Sequence, residues 1–259
     1  MGGVEPIRVE DLTVQYAGKT VLDHITLEIP RHRITALIGP AKSGKTSFLK
    51  TLNRTMDYER CPVYTGAIWV DGQNILDRHC DVIALRRKIG VVLPLLIPLP
   101  LSIYENVAYA PRRQGVRGGE LDELVQQSLR RVMLWNEVKD RLKMPSSKLS
   151  GGQQQRLNLA HALSLNPEIL CLEEFSFAMD PVLTMQVENF LSQEVAHMTI
   201  LAITHIIPQV RRLADFVIFL KQGRLVECGP TEQIFENPQY ETTRKFLNGD
   251  FSGETSLFT

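Results

Sequence analysis

Gly39-Pro40-Ala41-Lys42-Ser43-Gly44-Lys45-Thr46 sets two glycines, a lysine and a hydroxyl at the spacing G-x-x-x-x-G-K-[ST], which suits a loop whose backbone amides wrap phosphate oxygens. An apolar run ends at Ile38 and a helical stretch runs from Ser47 to Leu52, so the loop opens a helix whose N-terminus favours anions. In that context Lys45 reaches the β and γ phosphates and the Thr46 hydroxyl ligates Mg2+. The predicted phosphate cradle runs from Gly39 through Ser47 and takes ATP or GTP. Two further places end apolar runs on groups able to move protons or hold metal. Ile169 to Leu172 leads to Glu173-Glu174, and Thr199 to Ile203 leads to Thr204-His205. On spacing alone these are solvated acids and a structural histidine at strand ends.

Short β-like runs separated by turns must carry the phosphate loop: Ile7 to Tyr16, Val21 to Ile29 and Ile34 to Ile38, with Gly66 to Val70 beyond it. A strand feeding a glycine-rich loop and then a helix is a βα phosphate-binding unit. From about Pro94 to Leu165 the pattern turns helical, with Leu121, Leu124, Val125, Leu129, Val132 and Met133 recurring at three and four. The compact runs at 169–172 and 199–204 read as strands buried on both faces, with a helix over 182–195 between them. Phe216 to Leu220 and Arg224 to Cys228 suggest a hairpin turning at Gln222-Gly223, and a helical tail extends past Pro230 to about Leu247.

The 29 acidic and 29 basic residues of this 259-residue chain balance, so no overall field favours nucleic acid or an anionic membrane. Arg86-Arg87-Lys88 and Arg211-Arg212 are read as solvated charges. Cys61, Cys80, Cys171 and Cys228 form no CxxC pair, which suits reduced thiols without zinc or disulfides. No stretch approaches the roughly 18 apolar residues needed to span a bilayer, and Met1 to Glu5 lacks the regions of a signal peptide. Membrane association is therefore expected through another protein.

Leu149-Ser150-Gly151-Gly152-Gln153-Gln154-Gln155-Arg156 resembles the signature motif of ATP-binding cassette (ABC) proteins. That resemblance implies that Ser150, Gly151, Gly152 and Gln153 bind the ATP held by a second cassette, so the chain works as half of a dimer. It implies an α/β P-loop NTPase fold with a RecA-like core, an N-terminal antiparallel β subdomain and an inserted α-helical subdomain. One domain over residues 1–250 is expected, with a core lobe at about 1–93 and 166–250, a helical lobe at about 94–165, and a flexible tail at 251–259. Glu173 then takes the Mg2+-organising position, Glu174 that of the catalytic base, His205 that of the γ-phosphate switch and Asp180 that of the D-loop. Tyr16 is either strand packing or the aromatic that stacks on adenine.

Leu101-Ser102-Ile103-Tyr104-Glu105-Asn106-Val107-Ala108-Tyr109, Leu134-Trp135-Asn136-Glu137-Val138-Lys139-Asp140-Arg141-Leu142 and Gly229-Pro230-Thr231-Glu232-Gln233-Ile234-Phe235 are similar to the ATP-binding subunits of bacterial phosphate importers. The resemblance implies two transmembrane permease subunits, an external phosphate-binding protein and a place on the cytoplasmic face of the membrane. No residue chemistry reveals phosphate as cargo.

Three positions depart from the family. Glu173 stands where the family has aspartate, and its extra methylene shifts a carboxylate toward a metal that tolerates little deviation from about 2.1 Å. Phe175 replaces a proline beside Glu174, and Pro94 replaces a glutamine that contacts Mg2+ and the attacking water. Proline has no side-chain oxygen. The apolar Leu95 to Leu101 that follows is either interior packing or a docking surface for a membrane subunit. The preferred expectation is a heterodimer in which this chain's own site is weak and its signature completes a paralogous partner's site. A homodimeric importer ATPase, a nucleotide-sensing regulatory subunit and a soluble cassette acting in DNA repair or translation remain open.

Overall fold

The computed structural model describes residues 7–94 and 98–250. The N-terminal stretch without signal-peptide character, residues 95–97 of the apolar loop after Pro94, and the tail at 251–259 lie outside the described residues. In chain order the elements begin with strands β1 (Ile7–Tyr16), β2 (Lys19–Ile29) and β3 (Ile34–Ile38), helix α1 (Lys45–Leu52), strands β4 (Val63–Val70) and β5 (Gln73–Asn74), helix α2 (Val82–Lys88) and strand β6 (Ile89–Val92). Helices α3 (Ile103–Arg113), α4 (Gly118–Arg131), α5 (Trp135–Val138) and α6 (Gly151–Leu163) follow. Then come β7 (Ile169–Glu173), α7 (Pro181–Glu194), β8 (Thr199–Ile203), α8 (Ile207–Leu213), β9 (Phe216–Lys221), β10 (Arg224–Pro230), α9 (Thr231–Glu236) and α10 (Glu241–Leu247).

These elements fall into two compact units, one of residues 7–82 with 201–250 and one within 83–200. The division lies outside the helical stretch 94–165, because strands β6 and β7 group with the helices between them. In the first unit β2, β1, β4 and β5 form an antiparallel sheet in that order. Strand β1 buries Ile7, Val9, Leu12 and Val14, so its inward face skips a step after Val9. Asp11 has φ 48° there, and the register slips against both neighbours. The extra residue of a β-bulge is what reverses the phase.

The same unit holds the order β10-β9-β3-β8, with β3 parallel to β9 and β9 antiparallel to β10. Every residue of β3 is buried, and Ala36, Ile38, Val210, Val217, Phe219, Ile234 and Phe246 form one core cluster. Phe219 and Phe246 stack with centroids 4.8 Å apart. The expected C-terminal helix is broken in two between Glu236 and Glu241, where Pro238 withdraws an amide donor. The buried Glu227 takes up the break by accepting from the amides of Gln239 at 2.8 Å and Tyr240 at 3.4 Å.

In the second unit β6 and β7 pair in parallel, Ile89 opposite Ile169 and Val92 opposite Leu172. Helix α4 ends at Arg131 rather than near Trp135, since Met133 adopts φ 55° and a separate turn, α5, begins. Leu121, Val125 and Leu129 of α4 are buried, and His161 Nδ1 of α6 lies 2.6 Å from the Asn106 carbonyl of α3. Among the described residues no helix is long and apolar enough to cross a membrane.

Candidate nucleotide site and signature helix

The buried strand β3 delivers the chain to Gly39, and the loop from there to Gly44 turns into α1. Gly44 sits at φ 99°, and a Cβ on it would lie 2.7 Å from the Val21 carbonyl oxygen and 2.8 Å from Leu22 Cδ2. Only glycine meets both conditions. No side chain caps α1, which leaves its first amides facing the loop's mouth. Lys45 Nζ donates to the carbonyls of Gly39 at 2.8 Å and Pro40 at 2.7 Å and reaches Ser43 Oγ at 3.2 Å. The ammonium is thus held beside the loop before any phosphate arrives.

The turn between β9 and β10 closes the floor. Gly223 N donates to the Ser43 carbonyl at 3.1 Å, and the Gly223 carbonyl accepts from Asp23 N at 2.8 Å. Together these segments line a cleft of about 450 Å³ walled by Tyr16, Lys42, Ser43, Gly44, Lys45, Thr46, Ser47 and Gln222. Tyr16 therefore stands at the phosphate loop, half-buried at the end of β1. Glycines, helix amides, a lysine and hydroxyls suit a polyphosphate. Among the described residues no group of three His, Cys, Asp or Glu is placed to hold a metal; a Mg2+ carried on the nucleotide's phosphates needs few protein ligands, of which the Thr46 hydroxyl in this cleft would be one.

Strand β8 is buried throughout and ends on Thr204, whose hydroxyl accepts from Ile206 N at 3.1 Å. This turn leaves His205 exposed between them.

In the second unit β7 runs buried to Leu172 and carries Glu173 as its last residue. Burial pushes the Cys171 thiol up to about 12, so it stays an inert neutral group in the strand. Glu174 has φ 48°, and its carbonyl accepts from Phe177 N at 2.9 Å. The Phe175 ring is 1% exposed and fills the core. Its effect is on the backbone: proline restricts the residue before it to extended conformations, and Phe175 frees Glu174 to take the left-handed one. Pro94 stands in the turn after β6. The Leu99 carbonyl is pinned by Asn106 Nδ2 at 3.1 Å and Ser146 Oγ at 2.9 Å, and the Leu99 side chain is exposed.

Ser150 caps α6, accepting on Oγ from Gln153 N at 3.4 Å while its own amide donates to Gln153 Oε1 at 3.0 Å. This reciprocal pair is a capping box. The two glycines that follow are close-packed: a Cβ on Gly152 would lie 2.6 Å from the Ala178 carbonyl oxygen, and one on Gly151 3.2 Å from Ala178 Cβ. Asp180 then caps α7, accepting from Leu183 N at 2.9 Å. The second unit therefore brings Ser150, Gly151, Gly152 and Gln153 together with the segment leading to Asp180, while the first brings Tyr16 to the phosphate loop. Sequence reasoning passed over Gly223 as a hairpin turn and Asp180 as a helix cap. Asp before Pro at a helix start was the signal for the second, whereas the first is a tertiary contact with no local mark.

Residues 22–176 match the family model described as ABC transporter. The chain is 40% identical over 248 residues to the phosphate import ATP-binding protein PstB of Thermotoga maritima, covering 95% of this chain and 99% of that one. Its fold is similar to that of cbiO1 from Clostridium perfringens, described as part of the ABC transporter complex cbiONQ, with a TM-score of 0.76 at 26% identity over 89% of this chain and 90% of that one. A dimeric ATP-binding cassette in a post-hydrolysis state with ADP and Pi superposes with a TM-score of 0.74 at 26% identity, covering 87% of this chain and 98% of that chain.

Proposed function

This chain belongs to the ABC transporter family, and from that premise we propose that it is the ATP-binding subunit of an importer for inorganic phosphate. One observation carries the cargo: 40% identity running through 99% of a protein named for phosphate import. The subunit lies on the cytoplasmic face of the membrane, held there by two permease subunits that receive phosphate from an external binding protein.

ATP lies along the phosphate loop from Gly39 to Ser47, with Lys45 on its β and γ phosphates and its base against Tyr16. Thr46 and, by the family's register, Glu173 are the residues that would hold Mg2+, which would supply positive charge to the phosphates. Glu174 polarises the attacking water, a contribution of about 10² to 10⁴ in rate for such groups, and His205 contacts the γ-phosphate. Ser150, Gly151, Gly152 and Gln153 serve the ATP of a second cassette, and Asp180 reaches toward that neighbour.

The second cassette is a paralogue. Pro94 offers no side-chain oxygen where the family's glutamine has one, Glu173 is one methylene longer than aspartate, and Glu174 sits in left-handed backbone. The purified chain is expected to bind ATP and turn it over slowly, and Pro94→Gln with Glu173→Asp to raise turnover by about 10²-fold, the scale of a positioning defect near 1 Å. Steady-state phosphate release checks both. Fast turnover by the unaltered chain overturns the weak-site reading and leaves a homodimeric ATPase.

A further inference from the structure

Helix α5 sends one carboxylate into the start of the signature helix. Glu137 Oε2 accepts from Gln153 Nε2 at 2.7 Å, and Glu137 Oε1 accepts from Arg156 Nη1 at 2.7 Å. Arg156 is only 5% exposed along its side chain, and the same nitrogen donates to the Met133 carbonyl at 2.8 Å. Burial of the Glu137 carboxyl pushes its pKa up, but the hydrogen bonds from Arg156 and Gln153 outweigh that and hold it below the ordinary carboxylate range. Arg130 lies over the Trp135 ring at 5.7 Å, and Leu134 N donates to the Leu129 carbonyl at 2.9 Å, which fixes α5 to α4.

We propose that Glu137 is the positioning residue of the signature: it fixes the amide of Gln153, and through it the cap and hydroxyl of Ser150. The proposal rests on the reading that Ser150 serves the ATP of a second cassette. An amide side chain offers an acceptor on one side and donors on the other. Glu137, an acceptor at both oxygens, claims the Gln153 nitrogen, so the Gln153 oxygen must face the Ser150 amide. With that bond made, Ser150 Oγ accepts from Gln153 N, and its single O–H donor is not used by the cap. The hydroxyl therefore points its acceptor side into α6 and keeps its donor for a phosphate oxygen outside the chain.

Charge alone does not explain the arrangement. In Glu137→Gln the new side chain still has an oxygen for Arg156, but its second position becomes an NH2 facing the Gln153 NH2. Relief requires Gln153 to turn over, which points its nitrogen at the Ser150 amide and opens the box. Exchanging the two residues, Glu137→Gln with Gln153→Glu, restores every bond. The amide now at position 137 accepts from Arg156 and donates to the carboxylate now at position 153. The other oxygen of that carboxylate accepts from Ser150 N, as glutamate does at this place in many helices.

The test reads amide hydrogen exchange at Ser150 in the full chain, ATP affinity with a fluorescent analogue, and ATP turnover of the transporter complex isolated through a tag on this chain. Glu137→Gln is expected to speed Ser150 exchange about fivefold to tenfold, the scale of one lost capping bond, to lower turnover about tenfold, and to leave ATP affinity unchanged. The exchanged pair returns exchange and turnover to within about twofold of the parent. Parental exchange and turnover in Glu137→Gln overturns the proposal, as does an exchanged pair that folds with the parental Tm and stays impaired. If Glu137→Gln does not fold, the exchanged pair decides alone by the same criteria. Ser150→Ala separates the underlying reading: undiminished turnover there refutes the role of the signature, while the exchange rates still judge the tie from Glu137 to the cap.

Discussion

Gly152 illustrates how little freedom a functional glycine leaves. The Ala178 carbonyl stands where its Cβ would be, at 2.6 Å, and that carbonyl is backbone, so the whole turn must move to admit a methyl group. Gly152→Ala is expected to cut ATP turnover by about 10²-fold through displacement of Ser150 and Asp180 together, with nucleotide affinity kept because the P-loop is untouched. Turnover and equilibrium nucleotide titration on one preparation give the comparison. The glycine pair was legible in the sequence as a motif, since motif spacing is local. Its neighbour was not, because nothing at Ala178 announces that a helix start packs on it. Phe175 carried the opposite lesson: the sequence marks a bulky aromatic in the turn, but an aromatic seeks the core when one is within reach, and its burial depends on packing that no local pattern shows.

Caps and clasps govern the helices that bear these residues. Asp180 holds the first turn of α7, so Asp180→Ala is expected to lower unfolding free energy by about 1 kcal/mol, whereas Asp180→Asn, an equally good cap, stays within about 0.5 kcal/mol. Urea denaturation of the three chains separates capping from any part Asp180 plays toward a second cassette. On α3, Arg112 donates to both oxygens of Glu105, at 2.5 and 2.9 Å. These bonds hold the carboxyl below its ordinary value of 4.5. With the folded value below the unfolded one, the stabilisation is in force above that pH and fades as the pH falls through the folded value. The parent should therefore exceed Glu105→Gln in urea midpoint at neutral pH, and the difference should shrink as acidification carries the carboxyl through its depressed folded value. Periodicity made β1, β2 and α4 readable and a short apolar run made β3 so, whereas α2 escaped notice because only Leu85 in it is buried. The break between α9 and α10 depended on Pro238 and on Glu227 from another strand, and only the first is visible locally.

At the scale of the molecule, the first unit is discontinuous: residues 7–82 are completed by 201–250, with β9 entering beside β3 and Gly223 reaching the phosphate loop. The borders of the two units depend on which strands pack with which helices, and no composition shift in the sequence marks them. A chain cut after Leu213 keeps the whole G-x-x-x-x-G-K-T run and lacks β9 and β10. It is expected to bind no fluorescent ATP analogue, and native affinity in that fragment would show that the turn at Gly223 is dispensable. Contacts of such long sequence separation form late in folding. On the ribosome the phosphate loop emerges well before the turn at Gly223 that forms its floor. A polypeptide interrupted between them therefore carries the nucleotide motif without the cradle, and ATP binding becomes the molecule's own proof that its synthesis ran past the hairpin of β9 and β10.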